Sequence, residues 1–364
     1  MNNLRNKTQK IAAILMVLMI MIGLSACTPK VASTDENKTP AVTPAEAPTE
    51  ATVQTPEESD LETSPILEPL TLRAITPEGA TTIAMLKMIH EQPILKENVT
   101  VEYESLTATD LLATEIMGEK TDFAIVPTNL AIKLYNKGVP YKFASINTHG
   151  NLYMITSLDI TSWEDLKGKE IYMIGQGLIP DLIFRYLAEA NGLDPDQDMK
   201  LIYLAGTTEV APTFLAGKST ITLMPEPILS VVSTKDVPYT VLFDFQEEFE
   251  KATGLEGGFP QAGLMVKNTV IEAYPEVVDA FIAKLEESCT WVNENPKEAG
   301  AYAEELELGT PTPIIVKAME GLNIWHENAY EHKDSLEMFY DILLKASPEA
   351  IGGKLPDEGF YYKK

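Results

Sequence analysis

From residue 70 onward, short apolar runs alternate with amphipathic stretches. The short apolar runs predict strands, and apolar residues spaced three and four apart predict helices between them. The predicted strands are 70–75, 99–103, 123–126, 143–146, 152–156, 171–174, 201–204 and 220–224. The predicted helices are 81–90, 108–117, 130–137, 181–191 and 209–216. This strand–helix–strand succession predicts an α/β fold with a parallel, doubly wound sheet and helices on both faces.

The carboxy-terminal part is mostly helical in pattern, from residue 273 through 293 and beyond. One apolar stripe with helical spacing includes Phe281, Leu285, Cys289 and Val292. Cysteine is among the residue types most often buried, so Cys289 is predicted to be a core residue and not a reactive thiol.

In open α/β sheets, ligands bind outside the carboxyl ends of the strands, where loops lead into helices. Six such loops are small, polar and punctuated by proline or glycine, which lets backbone N–H groups approach a ligand. They are 76–81, 127–129, 147–151, 175–180, 206–208 and 224–227. The candidate ligand-binding residues on them are Thr76, Glu78, Gly79, Ala80, Thr81, Thr128, Asn129, His149, Asn151, Gln176, Gly177, Thr207, Thr208 and Glu226. Each Thr or Asn could equally be an ordinary helix cap. The ligand-binding site is therefore predicted from the convergence of six loops and not from any single residue.

Residues 1–26 have the organisation of a secretory signal peptide. Arg5, Lys7 and Lys10 precede an uninterrupted apolar run at 11–22. The alternative is an uncleaved membrane anchor, but the run is shorter than the roughly 20 residues that a spanning helix needs. We therefore expect an exported protein.

A lipid anchor is expected at Cys27. The tetrad Leu24-Ser25-Ala26-Cys27 resembles the lipobox of bacterial lipoproteins, which implies lipidation of the Cys27 thiol and cleavage before it. Two or three acyl chains make a durable anchor where one is marginal. Residues 27–69 would then be the lipidated cysteine and an acidic, Thr/Pro/Glu-rich tether, which cannot bury enough surface to fold.

Charge and motif content exclude several functions. The net charge is −26, and removal of the signal peptide with its three positive charges would move it to −29, which argues against nucleic acid as a partner. The four histidines form no His-x-x-x-His pattern, so no metal site is expected. There is no Gly-x-Ser-x-Gly elbow or phosphate loop, and Gly175-Gln176-Gly177 lacks the third glycine of a dinucleotide fingerprint. No catalytic residue and no cofactor is predicted.

Several motifs between residues 70 and 300 resemble those of ABC-importer solute-binding proteins with the type II periplasmic-binding fold. The resemblance is to the branch that binds thiamine precursors, alkanesulfonates, taurine and nitrate. The segment Ser162-Trp163-Glu164-Asp165-Leu166-Lys167-Gly168-Lys169 is its strongest marker. The other matching segments are 76–80, 121–129, 214–218, 220–227 and 273–281.

The resemblance implies two lobes, each a mostly parallel sheet flanked by helices, joined by two crossover segments near 149–153 and 259–263. Lobe one would comprise 70–151 and 262–364, and lobe two 152–261. A small-molecule ligand would bind between them and favour the closed form, because it contacts both lobes. A membrane permease would then be the protein partner, and a monomer is expected.

The candidate loops carry Glu78 and Glu226, Asp181 and Glu209 are further acidic candidates beside them, and the one basic residue nearby is Arg185. An obligate anion would be expected to have an Arg or Lys clamp. We therefore expect a neutral, cationic or zwitterionic polar solute, such as a nitrogen heterocycle, with Glu226 meeting a ligand N–H. Tyr153 and Tyr203 are either stacking partners for that ligand or ordinary packed aromatics.

Two other functions are compatible with the sequence. One is a ligand-sensing surface lipoprotein that does not serve transport. The other is an enzyme like the pyrimidine-precursor synthases, which share the fold but carry a cysteine-rich motif that this chain lacks. We therefore expect a binding protein and not an enzyme.

Overall fold

The structure is a computed structural model that describes residues 68–107, 109–255 and 257–364. The predicted signal peptide, Cys27 and the predicted tether as far as residue 67 lie outside the described residues. Within the described ranges, no helix combines the length and the apolar character needed to cross a membrane.

The first sheet has six strands in the order β11-β4-β10-β3-β1-β2. They are β1 (Leu70–Pro77), β2 (Val99–Leu106), β3 (Phe123–Pro127), β4 (Tyr141–His149), β10 (Pro260–Lys267) and β11 (Ile324–Asn328). The first four share one direction, and β10 and β11 run antiparallel to their neighbours. The loops that follow β1, β2 and β3 therefore leave the sheet at the same edge.

The second sheet has five strands in the order β7-β6-β8-β5-β9. They are β5 (Leu152–Thr156), β6 (Glu170–Met173), β7 (Lys200–Tyr203), β8 (Ile221–Pro225) and β9 (Thr240–Asp244). Only β5 runs against the common direction. A mostly parallel sheet was predicted for each lobe, and both sheets are mixed: two of the five neighbouring pairs are parallel in the first sheet and two of the four in the second. The apolar periodicity did not indicate the antiparallel pairs.

Helices flank both sheets. Those between residues 80 and 233 are α1 (Ala80–Ala84), α2 (Leu86–Glu91), α3 (Thr109–Met117), α4 (Thr128–Asn136), α5 (Ile179–Ala190), α6 (Thr207–Leu215) and α7 (Ile228–Ser233). Those that follow are α8 (Phe245–Thr253), α9 (Asn268–Ala273), α10 (Pro275–Glu294), α11 (Pro296–Glu305), α12 (Thr312–Leu322) and α13 (Lys333–Ala346).

Most elements agree with the sequence prediction to within a few residues. The helix expected at 81–90 is interrupted at Met85, which separates α1 from α2. The strands β9, β10 and β11 were not predicted. β9 and β11 are short and partly exposed and carry no strong apolar alternation, and the start of β10 was interpreted only as the return crossover. Cys289 is fully buried on α10, as its position in the apolar stripe predicted.

Aromatic residues pack both on the sheets and between them. On the first sheet, the rings of Phe123 and Phe281 stack with their centroids 3.8 Å apart. Phe249 on α8 contacts both Phe259, which precedes β10, and Phe339 on α13. The carboxy-terminal helix therefore packs against an element of the second sheet, and one apolar cluster continues from one sheet to the other.

The chain crosses between the sheets at two adjacent places. It leaves the first sheet at His149 and enters the second at Leu152, and it returns after α8 at Pro260. The Gly150 N–H donates to the Phe259 carbonyl oxygen at 2.8 Å, so the two crossovers lie side by side. A Cβ on Gly150 would lie 2.5 Å from the Phe259 ring, so this close approach requires glycine.

Substitution of the stacked aromatic Phe281 should weaken the core that packs on the first sheet. Phe281→Ala is expected to lower the free energy of unfolding by about 3–5 kcal/mol, through lost apolar burial and the cavity left behind. Met338→Ala is the control, because Met338 is 55% exposed and its change should stay within about 0.5 kcal/mol. Urea denaturation followed by circular dichroism measures both, and equal losses would contradict the assignment of Phe281 to the core.

Candidate functional site

A cleft of about 710 Å³ lies between the carboxyl-end loops of the two sheets. Pockets of roughly 300–1,000 Å³ are usual for small-molecule ligands. Its first wall comes from loops of the first sheet, its second wall from loops of the second sheet, and its floor from the two crossovers. The loop at 307–310, between α11 and α12, also lines the cleft.

The first wall is a turn held by its own hydroxyl groups. Gly79 has φ +107° and directly precedes α1. The Thr81 and Thr82 hydroxyls both donate to the Pro77 carbonyl oxygen, at 2.5 and 2.8 Å. The Thr82 hydroxyl also shares a hydrogen bond with that of Ser105 at 2.9 Å, which ties the loop after β1 to the end of β2.

The second wall contains a charge network centred on Asp181 near the start of α5. Asp181 is buried and accepts hydrogen bonds from the Gly177 N–H, the Tyr203 hydroxyl and the Arg185 Nε, all at 2.7–2.8 Å. Arg185 also donates to Asp196 at 2.9 Å. Two carboxylates therefore balance the guanidinium charge. Burial, with the Asp181 hydrogen bond adding to it, raises the pKa of Tyr203 to about 12.

Glu226 lies in the loop between β8 and α7 and is 8% exposed. Its carboxylate accepts hydrogen bonds from the Ser230 N–H and the Ser230 hydroxyl, both at 3.0 Å. Burial raises the pKa of Glu226, while the Ser230 hydrogen bonds and the charge of Lys317 act in the opposite direction. The carboxylate thus hydrogen-bonds the first turn of α7. Glu226 is also one of the residues that line the cleft.

The floor joins the two crossovers through Asn151 and Gln261. The Asn151 N–H donates to the Gln261 Oε1 at 3.3 Å, and both residues line the cleft. The Glu226 N–H donates to the Asn151 carbonyl oxygen at 3.0 Å, which fixes the second wall to the floor.

Carboxylates are the charged groups of the cleft. Glu78, Glu226 and Glu307 line it, and the described residues that line it include no Lys, Arg or His. Among the residues that the structure describes, no cluster of three His, Cys, Asp or Glu could hold a metal ion. The lining suits hydrogen bonding to a polar solute and lacks the positive clamp expected for an obligate anion.

Most of the predicted site residues line the cleft. They are Glu78, Gly79, Ala80, Thr81, Asn151, Gln176, Thr207, Thr208 and Glu226. The residues that lie outside the lining are Thr76, Thr128, Asn129, His149 and Gly177.

The hydroxyl and amide side chains outside the lining contact the protein itself. The Thr76 hydroxyl donates to the adjoining Pro77 carbonyl oxygen at 3.3 Å, and the Thr128 hydroxyl donates to the Pro260 carbonyl oxygen at 2.8 Å. The Asn129 Nδ2 donates to the Gly177 carbonyl oxygen at 3.2 Å, which links a helix of the first sheet to a loop of the second. These side chains hold loops in place instead of facing the cleft.

His149 points away from the cleft. Its ring stacks on Trp325 with the centroids 3.6 Å apart, and its Nε2 lies 3.1 Å from the Glu327 carboxylate. Burial lowers the pKa of His149, although Glu327 acts against this, so the ring is neutral at pH 7 and its Nε2–H donates. Its Nδ1 is buried without a partner.

Several lining residues were absent from the predicted set. Ser105 was missed because β2 runs to Leu106 and not to Tyr103, which moves its terminal loop. Gln261 lies at the amino end of β10, on the return crossover, so a search of the loops at the carboxyl ends of strands did not include it. The loop at 307–310 joins two helices, so a rule based on strand ends does not find it. Tyr203 lines the cleft, whereas Tyr153 does not and donates to the Gly321 carbonyl oxygen at 3.4 Å.

The family model described as NMT1/THI5 like matches residues 95–299, which is more than half of the chain. The chain belongs to the NMT1/THI5-like family. YtlA of Bacillus subtilis (strain 168), provisionally described as a binding protein, is 21% identical over 227 residues. That match covers 61% of this chain and 66% of YtlA, just under two thirds of the relative's length.

Solved structures share the fold of this NMT1/THI5-like protein. An ABC transporter structure from Parabacteroides distasonis has a TM-score of 0.70 at 27% identity, over 82% of this chain and 100% of that one. The periplasmic aliphatic sulphonate binding protein SsuA from Escherichia coli has a TM-score of 0.65 at 14% identity, over 81% and 93%. The predicted resemblance and the type II periplasmic-binding fold, with its two lobes and two crossovers, are confirmed.

The buried histidine of this NMT1/THI5-like protein predicts a pH dependence of stability. The pKa of His149 is lowered from its ordinary 6.5 in the folded state. The stability that the neutral ring provides is therefore fully present above about pH 6.5, and it is lost as the pH falls below that value. For one titrating group, the free energy of unfolding can change by at most about 1.4 kcal/mol per pH unit. Glu327, with a pKa near 2, stays ionised down to pH 5.

His149→Gln keeps a donor for Glu327 but does not titrate, so its unfolding free energy should fall less between pH 7 and pH 5 than that of the unchanged protein. Met338→Gln, at a side chain that is 55% exposed, is the control and should keep the original slope, because neither residue titrates. Urea denaturation at several pH values measures the slopes. Identical slopes for all three proteins would contradict the burial effect.

Proposed function

We propose that this protein is the extracytoplasmic solute-binding component of an ABC importer, which captures a small polar solute by closing its lobes. The observation that carries the proposal is the 710 Å³ cleft, lined by carboxyl-end loops of both sheets and floored by the crossovers. A solute that touches both walls stabilises the closed form. Membership of the NMT1/THI5-like family and the likeness to an ABC transporter structure support this function.

The proposed lobes are 70–151 with 262–364, and 152–261. Sheet membership supports these limits, because the strands change sheet between His149 and Leu152 and again before Pro260. The contact between Asn129 and Gly177 then joins the two lobes. A membrane permease that recognises the closed form is the proposed protein partner, and the protein would act as a monomer.

The proposed solute is neutral, cationic or zwitterionic, and nitrogen heterocycles belong to this class. The three carboxylates and the absence of basic side chains among the described lining residues support this charge preference. SsuA from Escherichia coli is described as binding aliphatic sulphonates. A sulfonate in the present cleft would face carboxylates and lack the cationic partner that such groups favour.

We propose binding and not catalysis as the activity. Cys289, the cysteine that the described residues contain, is fully buried, and burial raises the pKa of its thiol to about 12. A thiol in that state is not a nucleophile or a metal ligand. The lipid anchor at Cys27 completes the proposal and would hold the protein at the outer face of the cell membrane.

A ligand screen tests the binding function. The purified full chain in mild detergent is melted with amino-pyrimidines, amino acids, sulfonates and nitrate. A solute at 100 times its Kd should stabilise the native state by about 2.7 kcal/mol. Small-angle X-ray scattering should show a smaller radius of gyration with that solute. The absence of any shift across all classes would contradict the function, and tight binding of sulfonates alone would contradict the charge preference.

Substitution of Cys27 tests the anchor. Cys27→Ser should abolish incorporation of a labelled fatty acid, because it removes the thiol that accepts the lipid. Cys289→Ser is the control, because that thiol is buried and should not affect labelling. Metabolic labelling with an alkyne fatty acid measures both variants, and labelling of the Cys27 variant would show that the anchor lies elsewhere.

A further inference from the structure

The floor of the cleft contains a buried hydrogen-bond acceptor without a partner. Asn151 is 1% exposed, lines the cleft, and its Oδ1 has no hydrogen-bond partner. Most buried side-chain polar atoms in proteins are paired, so an unpaired one calls for an explanation. A site that receives its partner from the ligand provides that explanation.

The other polar groups of Asn151 are all engaged. Its N–H donates to the Gln261 Oε1, its carbonyl oxygen accepts from the Glu226 N–H, and its Nδ2 lies 3.4 Å from the Glu226 carbonyl oxygen. Rotation of the amide by 180° would set Oδ1 against that carbonyl oxygen, with two acceptors facing each other. The unpaired atom is therefore Oδ1 and not Nδ2.

We propose that Asn151 Oδ1 is the main specificity determinant of the cleft and accepts a hydrogen bond from an N–H group of the solute. This inference rests on the proposed binding function. The solute class is an amine, an amidine or an amino-substituted heterocycle. Glu226 lines the same cleft, and its carboxylate is also an acceptor. An amino group carries at least two N–H donors, so it can satisfy both residues, whereas a sulfonate or nitrate offers acceptors only.

The same residue connects solute binding to the crossovers. Asn151 lies on the first crossover and its backbone is bonded to Gln261 on the second. Its backbone also pairs with Glu226 of the second wall. A solute bonded to Oδ1 is thus fixed to both crossovers and to a loop of the second sheet. Asn151 therefore selects the solute at the place about which the lobes close.

Matched probe pairs test the donor requirement. Each pair differs in its N–H groups: 4-aminopyrimidine with 4-methylpyrimidine, glycine with trimethylglycine, and benzylamine with ethylbenzene. Isothermal titration calorimetry of the full chain should find at least one N–H probe that binds. The matched compound without N–H groups should bind at least tenfold more weakly. Equal affinity within every pair, or binding of none of the N–H probes, would overturn the inference.

Variants test the residue. Asn151→Leu should lower the affinity for the N–H probe at least tenfold. The melting temperature of the unliganded protein should stay equal or rise, because an unpaired buried acceptor is removed. Asn136→Leu is the matched control: its Oδ1 is also buried without a partner, but its Nδ2 bonds to Ile351 and Lys354 and the residue does not line the cleft. It should keep the affinity within threefold. Unchanged affinity in Asn151→Leu would overturn the inference.

If Asn151→Leu does not fold, Asn151→Ala decides, because it removes Oδ1 without adding an acceptor opposite the Glu226 carbonyl oxygen. That variant should bind the N–H probe at least tenfold more weakly, and unchanged affinity in the folded variant would overturn the inference. A different result would contradict the proposed binding function: no solute of any class would shift the melting temperature or the radius of gyration. A solute that lacks N–H groups and still closes the lobes would refute the role of Asn151 alone.

Discussion

The close pairing of the two crossovers is the constraint on which the rest of the structure depends. The Gly150 N–H reaches the Phe259 carbonyl oxygen, and the Asn151 N–H reaches Gln261, so the two connections lie side by side. Each sheet packs its own apolar side chains against helices, yet their carboxyl edges must face each other across this junction. The cleft and its polar floor follow from that arrangement.

Charge gives the cleft its chemical character. Helix starts and backbone N–H groups near a cleft favour anions in general, but the side chains oppose that tendency with Glu78, Glu226 and Glu307. The nearby guanidinium of Arg185 is balanced by Asp181 and Asp196. The result is a surface rich in acceptors, and the buried Asn151 Oδ1 lacks a hydrogen-bond partner.

Sequence reasoning found the loops of the site more readily than the roles of individual residues. Loops at strand ends are visible as polar, glycine- and proline-rich interruptions, and these led to Asn151 and Glu226. The direction of a side chain within such a loop is not visible. His149 belongs to the crossover but turns onto Trp325, and Asn129 bonds to Gly177 instead of facing the cleft. Gln261 reaches the floor from a strand more than a hundred residues later in the chain.

The sequence by itself determined the α/β class, most element positions, the family resemblance and the acidic balance, because periodicity and composition are local properties of the chain. The same local reasoning reached the buried state of Cys289, since an apolar helical stripe must face a core. Only the tertiary structure decided which loops meet, that Arg185 is already paired, and that one amide oxygen at the floor lacks a partner. Those facts depend on contacts between distant segments, and hydrogen-bond satisfaction can be judged only when all the neighbours of an atom are known.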